Sequence, residues 1–212
     1  ENSLKQINEH NICLAGGVAL NCVANSKISS LNSVKEFYTN SVSSDAGVAL
    51  GAAILGSLDF ENKTINGYTP FAGREYSNDE IKAIISSLKI KATYVEQPEL
   101  FVANKLKKNE TVAVFKGKAE FGPRALGNRT IYANPFKENI QEELNQTIKD
   151  REGFRPFGVI IRKMDLSIYF EHAKNESPFM NMVYMVKADK KESLKEVMHH
   201  DGTCREIGRA HV

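Results

Sequence analysis

Five cationic side chains in two short segments are the residues whose types and spacing most clearly indicate chemistry in this chain. Lys118, Arg124 and Arg129 surround two glycines in the first segment, and Arg151 and Arg155 lie in the second. A guanidinium group binds phosphate or carboxylate through paired hydrogen bonds, and glycine lets the backbone approach such an anion closely. The pattern favours a site for a small, multiply charged anion. Spacing alone also allows solvated charges beside a turn.

A second candidate site follows the strand predicted at 11–15. Gly16 and Gly17 separate this strand from a helix predicted at 18–28, and free N–H groups at a helix start can bind phosphate. Asn21 is placed to hydrogen-bond a nucleotide there, although the residues alone favour a tight turn with close packing. Asp45 ends a Ser-Ser-Asp segment that is typical of a helix entry, so its residue type alone favours an N-cap.

Apolar periodicity and helix-entry signals predict an α/β protein. The predicted strands are 11–15, 34–40, 111–115, 158–161 and 180–186. The predicted helices are 18–28, 47–58, 98–107, 139–149 and a segment that runs from a capping box at Ser77–Glu80 to Leu88. Little periodicity at 62–74 predicts a linker between two domains.

Composition excludes several classes of protein. The chain has 212 residues, a net charge of +2, 42% hydrophobic residues and 25% charged residues, as expected for a globular protein with a core of its own. The charge gives no global field towards nucleic acid or a membrane, and no apolar run is long enough to span a bilayer. Three cysteines lack metal or disulfide spacing, and we expect Cys13 and Cys22 to be buried thiols in a reducing cytoplasm.

Four segments, in order, resemble the O-carbamoyltransferases of nodulation-factor and antibiotic biosynthesis. They are Leu14–Asn25, Ser43–Ala53, Glu120–Arg129 and Arg151–Phe157. The resemblance extends from about Asn11 to Arg205. It implies the C-terminal part of an actin-like (Kae1-like) domain at 1–66, followed at 67–206 by an α+β YrdC-like domain with a twisted open sheet. We expect a longer parent protein and a non-native tail at 207–212.

The resemblance also implies roles for individual residues. The catalytic set is Lys118, Arg124 and Arg129. The residues expected to bind carbamoyl phosphate and ATP are Lys116, Lys118, Arg124, Asn128, Arg129, Arg151, Arg155, Thr203 and Arg205. The residues expected to hold the adenylate are Gly16, Gly17, Asn21 and Gly47. Lys118 stands where the family pattern has arginine, which keeps the charge and loses the bidentate fork.

Two cofactors are implied in the same way. ATP is expected with Mg²⁺, and Asp45 is expected to bind Fe²⁺ or a similar divalent metal together with two histidines of an upstream motif. A carboxylate with two histidines suits such a metal. Glu120 is interpreted as a residue that orients the arginines, rather than as a general base.

The function that follows from the resemblance is ATP-dependent O-carbamoyl transfer in the cytoplasm. Carbamoyl-adenylate would form from carbamoyl phosphate and ATP, and its carbamoyl group would pass to a hydroxyl of a sugar or natural product. We expect no nucleic-acid or membrane partner, and homo-oligomer formation is left open. The alternatives are a relative that makes an acyl-adenylate for tRNA modification, and a nucleic-acid-binding module that uses the basic clusters at 116–129 and 149–163. The chain alone is also compatible with an inactive part of an enzyme.

Overall fold

The computed structural model describes residue 6 and residues 8–61, 69–171 and 177–209, and these form a mixed α/β fold with small sheets. The first part contains β1 (Asn11–Cys13), α1 (Cys22–Ser29), β2 (Glu36–Tyr38) and α2 (Ala46–Glu61). The second part contains α3 (Asn78–Ser87), α4 (Pro98–Lys107), β3 (Val112–Phe115), β4 (Arg129–Tyr132), α5 (Ile140–Thr147), β5 (Gly158–Arg162), α6 (Leu166–Tyr169), β6 (Val183–Met185) and β7 (Thr203–Arg209). Short 3-10 helices lie at Gly17–Leu20, Lys163–Asp165, Ala188–Lys190 and Lys195–Val197.

The described strands pair into three small sheets. β1 is parallel to β2, and β3 is antiparallel to β4. In the third sheet β7 is central, parallel to β5 and antiparallel to β6. Arg205 of β7 is paired with Gly158 on one side and with Val183 on the other, so its backbone is fixed in the middle of the sheet.

The prediction of one helix over 18–28 is wrong. The 3-10 helix Gly17–Leu20 ends at Asn21, whose backbone is extended (φ −79°, ψ 90°). The side chain of Asn21 then accepts a hydrogen bond from the N–H of Ala24 at 3.0 Å and starts α1. An asparagine side chain satisfies a free N–H group better outside the helix than within it, which explains the break.

Most other predicted elements are confirmed, with shorter strands except at β5, which runs one residue beyond the prediction. The capping box of α3 forms in full, with reciprocal bonds between Ser77 and Glu80. The apolar stripe behind it is not covered, because Ile84 and Leu88 are 46% and 67% exposed. Cys13 is exposed rather than buried, since the side chains of β1 alternate between faces.

Strands β4 and β7 were not predicted. In β7, Cys204, Glu206 and Ile207 are buried, although charged residues and a glycine interrupt any apolar pattern. Ile207 pairs with Ile160 of β5, so this strand enters the segment for which a non-native tail was predicted. Residues 210–212 of that segment lie outside the described residues, and the tail stays a prediction.

The largest core cluster lies against this central sheet. It contains Leu166, Phe170, Val186, Leu194, Val197 and Cys204. Burial raises the pKa of the Cys204 thiol to about 12, so the thiol stays protonated as a small apolar group. The cluster packs β7 firmly and therefore fixes the position from which Arg205 projects.

The two parts of the chain touch through polar side chains of α1. Asn25 Nδ2 donates to the carbonyl of Asn181 at 2.9 Å, and Asn181 Nδ2 donates to the carbonyl of Asn40 at 2.8 Å. Ser26 Oγ donates to the carbonyl of Val183 and accepts its N–H, at 3.1 and 2.8 Å. Residues before and after the predicted domain boundary are thus in direct contact.

Part of the predicted linker, residues 62–68, lies outside the described residues. In the part of the chain that is described, no helix is both long enough and apolar enough to cross a bilayer.

Candidate functional site

The first basic loop (residues 116–129) joins β3 to β4 and is organised by a carboxylate. Glu120 Oε1 accepts the backbone N–H groups of Leu126 and Asn128, each at 2.7 Å, and Oε2 accepts that of Arg129 at 3.0 Å. Burial raises the pKa of Glu120, but these N–H groups outweigh it and the net pKa is lowered. Glu120 is therefore ionised at neutral pH. It orders the loop by accepting hydrogen bonds from backbone N–H groups of the loop.

Arg129 is bonded to the main chain. Its guanidinium donates to the carbonyls of Lys116, Gly117 and Arg74 at 2.6, 2.9 and 3.1 Å. It also stacks on Phe115, with Cζ 3.4 Å from the ring centroid. These contacts use both terminal nitrogens, so the geometry gives Arg129 a role in holding the loop, and its catalytic and anion-binding role stays a prediction.

Arg124 and Gly122 bring the first basic loop against the first part of the chain. Arg124 Nη2 donates to the carbonyl of Leu20 at 2.6 Å, and Ser41 Oγ donates to the carbonyl of Phe121 at 3.1 Å. Gly122 has φ +139°, and a Cβ there would lie 2.3 Å from the carbonyl oxygen of Ser41. Only glycine allows this backbone and this approach.

Among the other predicted residues of this loop, the two lysines face solvent and Asn128 is bonded within the loop. The side chains of Lys116 and Lys118 are exposed, whereas Asn128 Nδ2 donates to the carbonyl of Lys118 at 2.7 Å within the loop. The lysines can approach an anion from solvent, and Asn128 contributes to the shape of the loop.

The second basic loop (residues 149–157) follows α5. Arg151 Nε donates to Oδ1 of Asn145 at 2.7 Å, and the guanidinium lies over the ring of Phe157, 4.9 Å from its centroid. Arg155 is half-exposed and pairs with Glu152 at 2.8 Å. The two arginines of this loop are thus held differently, one by a buried amide and one by a solvent-exposed carboxylate.

Arg205 projects from β7 towards these loops. Its Nη2 donates to the carbonyl of Pro156 at 2.6 Å, while its buried Nε has no acceptor among the described residues. Nearby, His199 Nδ1 lies 3.2 Å from Thr203 Oγ1, and Thr203 in turn donates to Asp201 at 2.6 Å. The buried Nε2 of His199 also lacks a partner in the described part of the chain.

The arginine cluster, defined as Arg124, Arg151, Arg155 and Arg205, is held together by the fold rather than by counter-charges. Burial lowers the pKa of Arg124, and repulsion from Arg205 lowers it further, although Cys22 opposes this. In the described residues no carboxylate forms an ion pair with Arg124 or Arg205. Placing such cations together costs free energy that an anion would recover.

The same repulsion reaches Arg151 and His199. Burial lowers the pKa of Arg151, and Arg155 and Arg205 add to the shift, with Glu152 opposing it. Burial also lowers the pKa of His199, again with a contribution from Arg205. Arg205 therefore lies close enough to Arg124, Arg151 and His199 to act on each of them.

The predicted adenylate residues lie at two turns of the first part. Gly16 has φ +88°, and both Gly16 and Gly17 are exposed, with open space where a side chain would be. Gly47 is a packing residue, because a Cβ there would lie 2.6 Å from the carbonyl oxygen of Val42. Asn21 caps α1, as described above.

The described residues do not assemble the predicted iron site. Asp45 is exposed just before α2, and no group of three histidine, cysteine or acidic side chains that could hold a metal exists among the described residues. Asp45 can supply one ligand at most, so no chemical step is assigned to a metal on this chain.

Sequence reasoning did not single out Asn145, which is buried, or His199, which is half-buried. A signal existed for Asn145, since asparagine is unfavourable within a helix and this one follows buried Leu144 in α5.

A largely apolar cavity of about 470 Å³ lies beside the arginine cluster, between β4 and β5. Ala125, next to Arg124, and Phe157 and Gly158, close to Arg155, contribute to its lining. The site thus combines cations with an adjoining apolar wall, an arrangement suited to a ligand with phosphates and a flat ring.

Two family models match this chain. A family model described as "Carbamoyltransferase C-terminus" matches residues 103–207, which include the arginine cluster. A model described as "Carbamoyltransferase N-terminus" matches residues 1–54, which include both glycine turns.

Named relatives match over most of the chain. Nodulation protein NolO of Bradyrhizobium diazoefficiens is 33% identical over 203 residues, covering 92% of this chain and 37% of that protein. The 3'-hydroxymethylcephem-O-carbamoyltransferase of Amycolatopsis lactamdurans is 32% identical over 192 residues, covering 91% and 35%. An uncharacterized protein of Synechocystis sp. is 34% identical over 201 residues, covering 90% and 32%. The chain thus spans about a third of the length of these relatives, and it belongs to the O-carbamoyltransferase family.

Proposed function

We propose that this chain is part of an ATP-dependent O-carbamoyltransferase and that the arginine cluster binds the phosphates of its substrates. The observation that supports this most strongly is electrostatic. Arg124 and Arg205 repel each other, have no paired carboxylate among the described residues, and leave the buried Nε of Arg205 without an acceptor. An anion with several oxygens would relieve all three costs.

The proposed reaction consumes carbamoyl phosphate, ATP and water. Water cleaves the P–O bond of carbamoyl phosphate, which releases phosphate and carbamate. A carbamate oxygen then attacks the α-phosphorus of ATP, a new P–O bond forms, and pyrophosphate leaves with the electron pair of the broken bond. The hydroxyl oxygen of the acceptor finally attacks the carbamoyl carbon and loses its proton, and AMP leaves.

The residues of this chain contribute binding and charge stabilisation. Arg124, Arg151 and Arg205 are placed to neutralise phosphate oxygens of both substrates, and positioning two anions in line is a large part of phosphate chemistry. The magnesium predicted with ATP would arrive as part of the MgATP substrate. Lys118 and Arg129, the other residues of the predicted catalytic set, keep that role as a prediction.

The apolar cavity supports a nucleotide as one of the ligands. Its volume of about 470 Å³ is in the range of small-molecule sites. Because Ala125 and Phe157 line it within one or two residues of the cluster arginines Arg124 and Arg155, a base in the cavity would leave its phosphates near the cations.

The two parts of the chain are proposed to be the end of an actin-like (Kae1-like) domain and a YrdC-like domain. The hydrogen bond from Arg124 to Leu20 supports a passage of the adenylate from one part to the other, since it joins the predicted adenylate turn to the arginine cluster. The hydroxyl acceptor and the upstream histidines that would complete a metal site with Asp45 belong to the proposal for the whole protein.

The test is ATP–pyrophosphate exchange that depends on carbamoyl phosphate, measured with the complete gene product and its Arg124→Ala variant. We expect exchange in the wild type and a loss of about 100-fold or more in the variant, as for other groups that stabilise transition-state charge. Lys82→Ala is the control, because Lys82 is exposed on α3, pairs with Asp79 at 3.8 Å and does not line the cavity.

Two results would contradict the proposal. One is exchange that persists in Arg124→Ala at the wild-type rate. The other is exchange that does not depend on carbamoyl phosphate, which would favour the acyl-adenylate-forming relative instead.

A further inference from the structure

We propose that Asn145 is a positioning residue that sets the Arg151 guanidinium and the backbone of the second basic loop for binding a phosphate group. Neither the motifs of the sequence nor the family resemblance assigns a role to this residue. The identity of the substrates rests on the proposed function, and the positioning role rests on the contacts of Asn145.

Asn145 is the only side chain with two described bonds to the carbonyls of this loop within 3.0 Å. It is completely buried in α5, and its Nδ2 donates to the carbonyls of Gly153 and Arg155 at 3.0 and 2.9 Å. Its Oδ1 accepts Arg151 Nε at 2.7 Å, and its backbone carbonyl accepts the Arg151 N–H at 3.1 Å. One amide therefore fixes the loop at three residues.

The chemistry of the amide explains why this position requires asparagine. An amide offers an acceptor and two donors without charge. An aspartate would lose both donors and would place a negative charge beside Arg151, which would neutralise part of the arginine cluster. A glutamine would carry the same groups one methylene farther from α5, and in a filled site it would displace the loop.

The bond to Nε directs the remaining donors of Arg151. With Nε used by Asn145 and the ring of Phe157 beneath the guanidinium plane, the two terminal nitrogens are left in a fixed orientation. No acceptor for these terminal nitrogens occurs among the described residues. Asn145 thus orients the two terminal nitrogens of Arg151 as a pair of donors before a ligand binds.

Repulsion within the arginine cluster makes such an anchor necessary. Arg155 and Arg205 both act on Arg151, and Gly153 in the same loop has open space around its Cα. In a flexible loop this repulsion would move Arg151 away from Arg155 and Arg205 unless buried hydrogen bonds hold it. A neutral amide holds the loop without removing positive charge from the site.

The experiment measures binding of inorganic pyrophosphate by calorimetry to the complete gene product and to Asn145→Ala and Asn145→Ser variants. We expect each variant to weaken binding by roughly tenfold or more, which corresponds to loss of one charge-assisted hydrogen bond. Gln141→Ala is the matched control, because Gln141 Nε2 makes longer bonds to the same carbonyls, 3.2 and 3.4 Å, and does not contact Arg151. We expect the control to stay within about twofold of the wild type.

A double-mutant cycle with Arg151→Ala separates positioning from a general effect on the fold. If Asn145 acts through Arg151, adding Asn145→Ser to Arg151→Ala changes pyrophosphate affinity little further. Two results would overturn the inference. One is a double variant in which the losses of pyrophosphate affinity of the two single variants multiply, and the other is wild-type affinity in a folded Asn145→Ser variant. The milder serine variant keeps the test valid if the alanine variant does not fold.

The outcome also separates this inference from the proposed function. Weakened pyrophosphate binding in the Asn145 variants, together with no carbamoyl-phosphate-dependent exchange in the wild type, would uphold the positioning role and refute the proposed reaction. Wild-type protein that fails to bind pyrophosphate would overturn the positioning role itself.

Discussion

The two basic loops carry similar side chains but are organised in opposite ways. The first basic loop is held from within, because Glu120 accepts three of its N–H groups and Arg129 donates to its carbonyls. The second basic loop is held from outside, by the buried neutral amide of Asn145. In the first loop a charged carboxylate acts on backbone N–H groups, whereas in the second loop a neutral amide holds Arg151 and an exposed carboxylate, Glu152, pairs with Arg155. The first loop therefore uses a charged group to order its own backbone, and the second uses a neutral group from a neighbouring helix.

The largest effect that we expect from this comparison is a loss of folding stability when Glu120 of the first basic loop is replaced. Glu120→Ala leaves the N–H groups of Leu126, Asn128 and Arg129 without their acceptor, and each such group costs about 1–3 kcal/mol if it stays buried. We expect the free energy of unfolding to fall by about 3 kcal/mol or more, measured by urea denaturation. Glu120→Gln, which keeps one oxygen, should lose less. A loss below about 1 kcal/mol would show that the loop does not depend on this carboxylate.

Arg129 should show the next largest effect. Arg129→Met keeps an apolar contact with Phe115 but removes the stacked guanidinium and its bonds to four carbonyls, so we expect a loss of roughly 2 kcal/mol in the free energy of unfolding. Arg162→Met, at an exposed ion pair, should leave it nearly unchanged. If Arg129→Met instead keeps full stability and loses exchange as completely as Arg124→Ala, then Arg129 binds substrate and does not stabilise the loop.

His199 should give a smaller, pH-dependent effect. Burial and Arg205 lower the pKa of His199 in the folded protein, so the unfolded chain binds the proton more readily. The stability of the wild type should therefore fall as the pH drops below the unfolded pKa of about 6.5, and it should be unaffected above it. His199→Gln should flatten this part of the stability curve. Parallel curves for the wild type and His199→Gln would contradict this assignment.

The smallest stability effect is expected in the second basic loop. Arg155 is more than half exposed and pairs with exposed Glu152, so Arg155→Ala should cost less than about 1 kcal/mol of unfolding free energy. The same variant should still weaken pyrophosphate binding, since it removes a cation of the cluster. Equal stability losses for Arg155→Ala and Arg129→Met would abolish the distinction between the two loops.

Local signals in the sequence predicted much of the fold. The capping box at Ser77–Glu80, the helix at 98–107 and the strand at 111–115 were found because their determinants lie within a few residues of each other. Strand β7 was not found, since its residues are stabilised by pairing with β5 and β6 and buried Glu206 accepts the N–H of Ser177, 29 residues away.

The residues of the candidate site were predicted from the sequence, but the bonds that they make were not. The arginines were predicted as one group, yet Arg129 finds an acceptor in the carbonyl of Arg74, 55 residues earlier in the chain. A carbonyl acceptor has no residue-type signature, so sequence patterns could not distinguish this arginine from Arg124. The same reason hid Asn145, whose donors also end on carbonyls.

The bonds that join the two parts of the chain have a consequence for how such proteins can be recombined. Arg124, Ser41 and Asn181 each supply a side-chain donor, but their acceptors at Leu20, Phe121 and Asn40 are backbone carbonyls, which every residue type possesses. The accepting positions can therefore change identity without loss of the bond, while the donors and Gly122 cannot. A chimera that joins the first part of one relative to the second part of another should keep this junction if it keeps these donors and Gly122, together with Asn25 and Ser26.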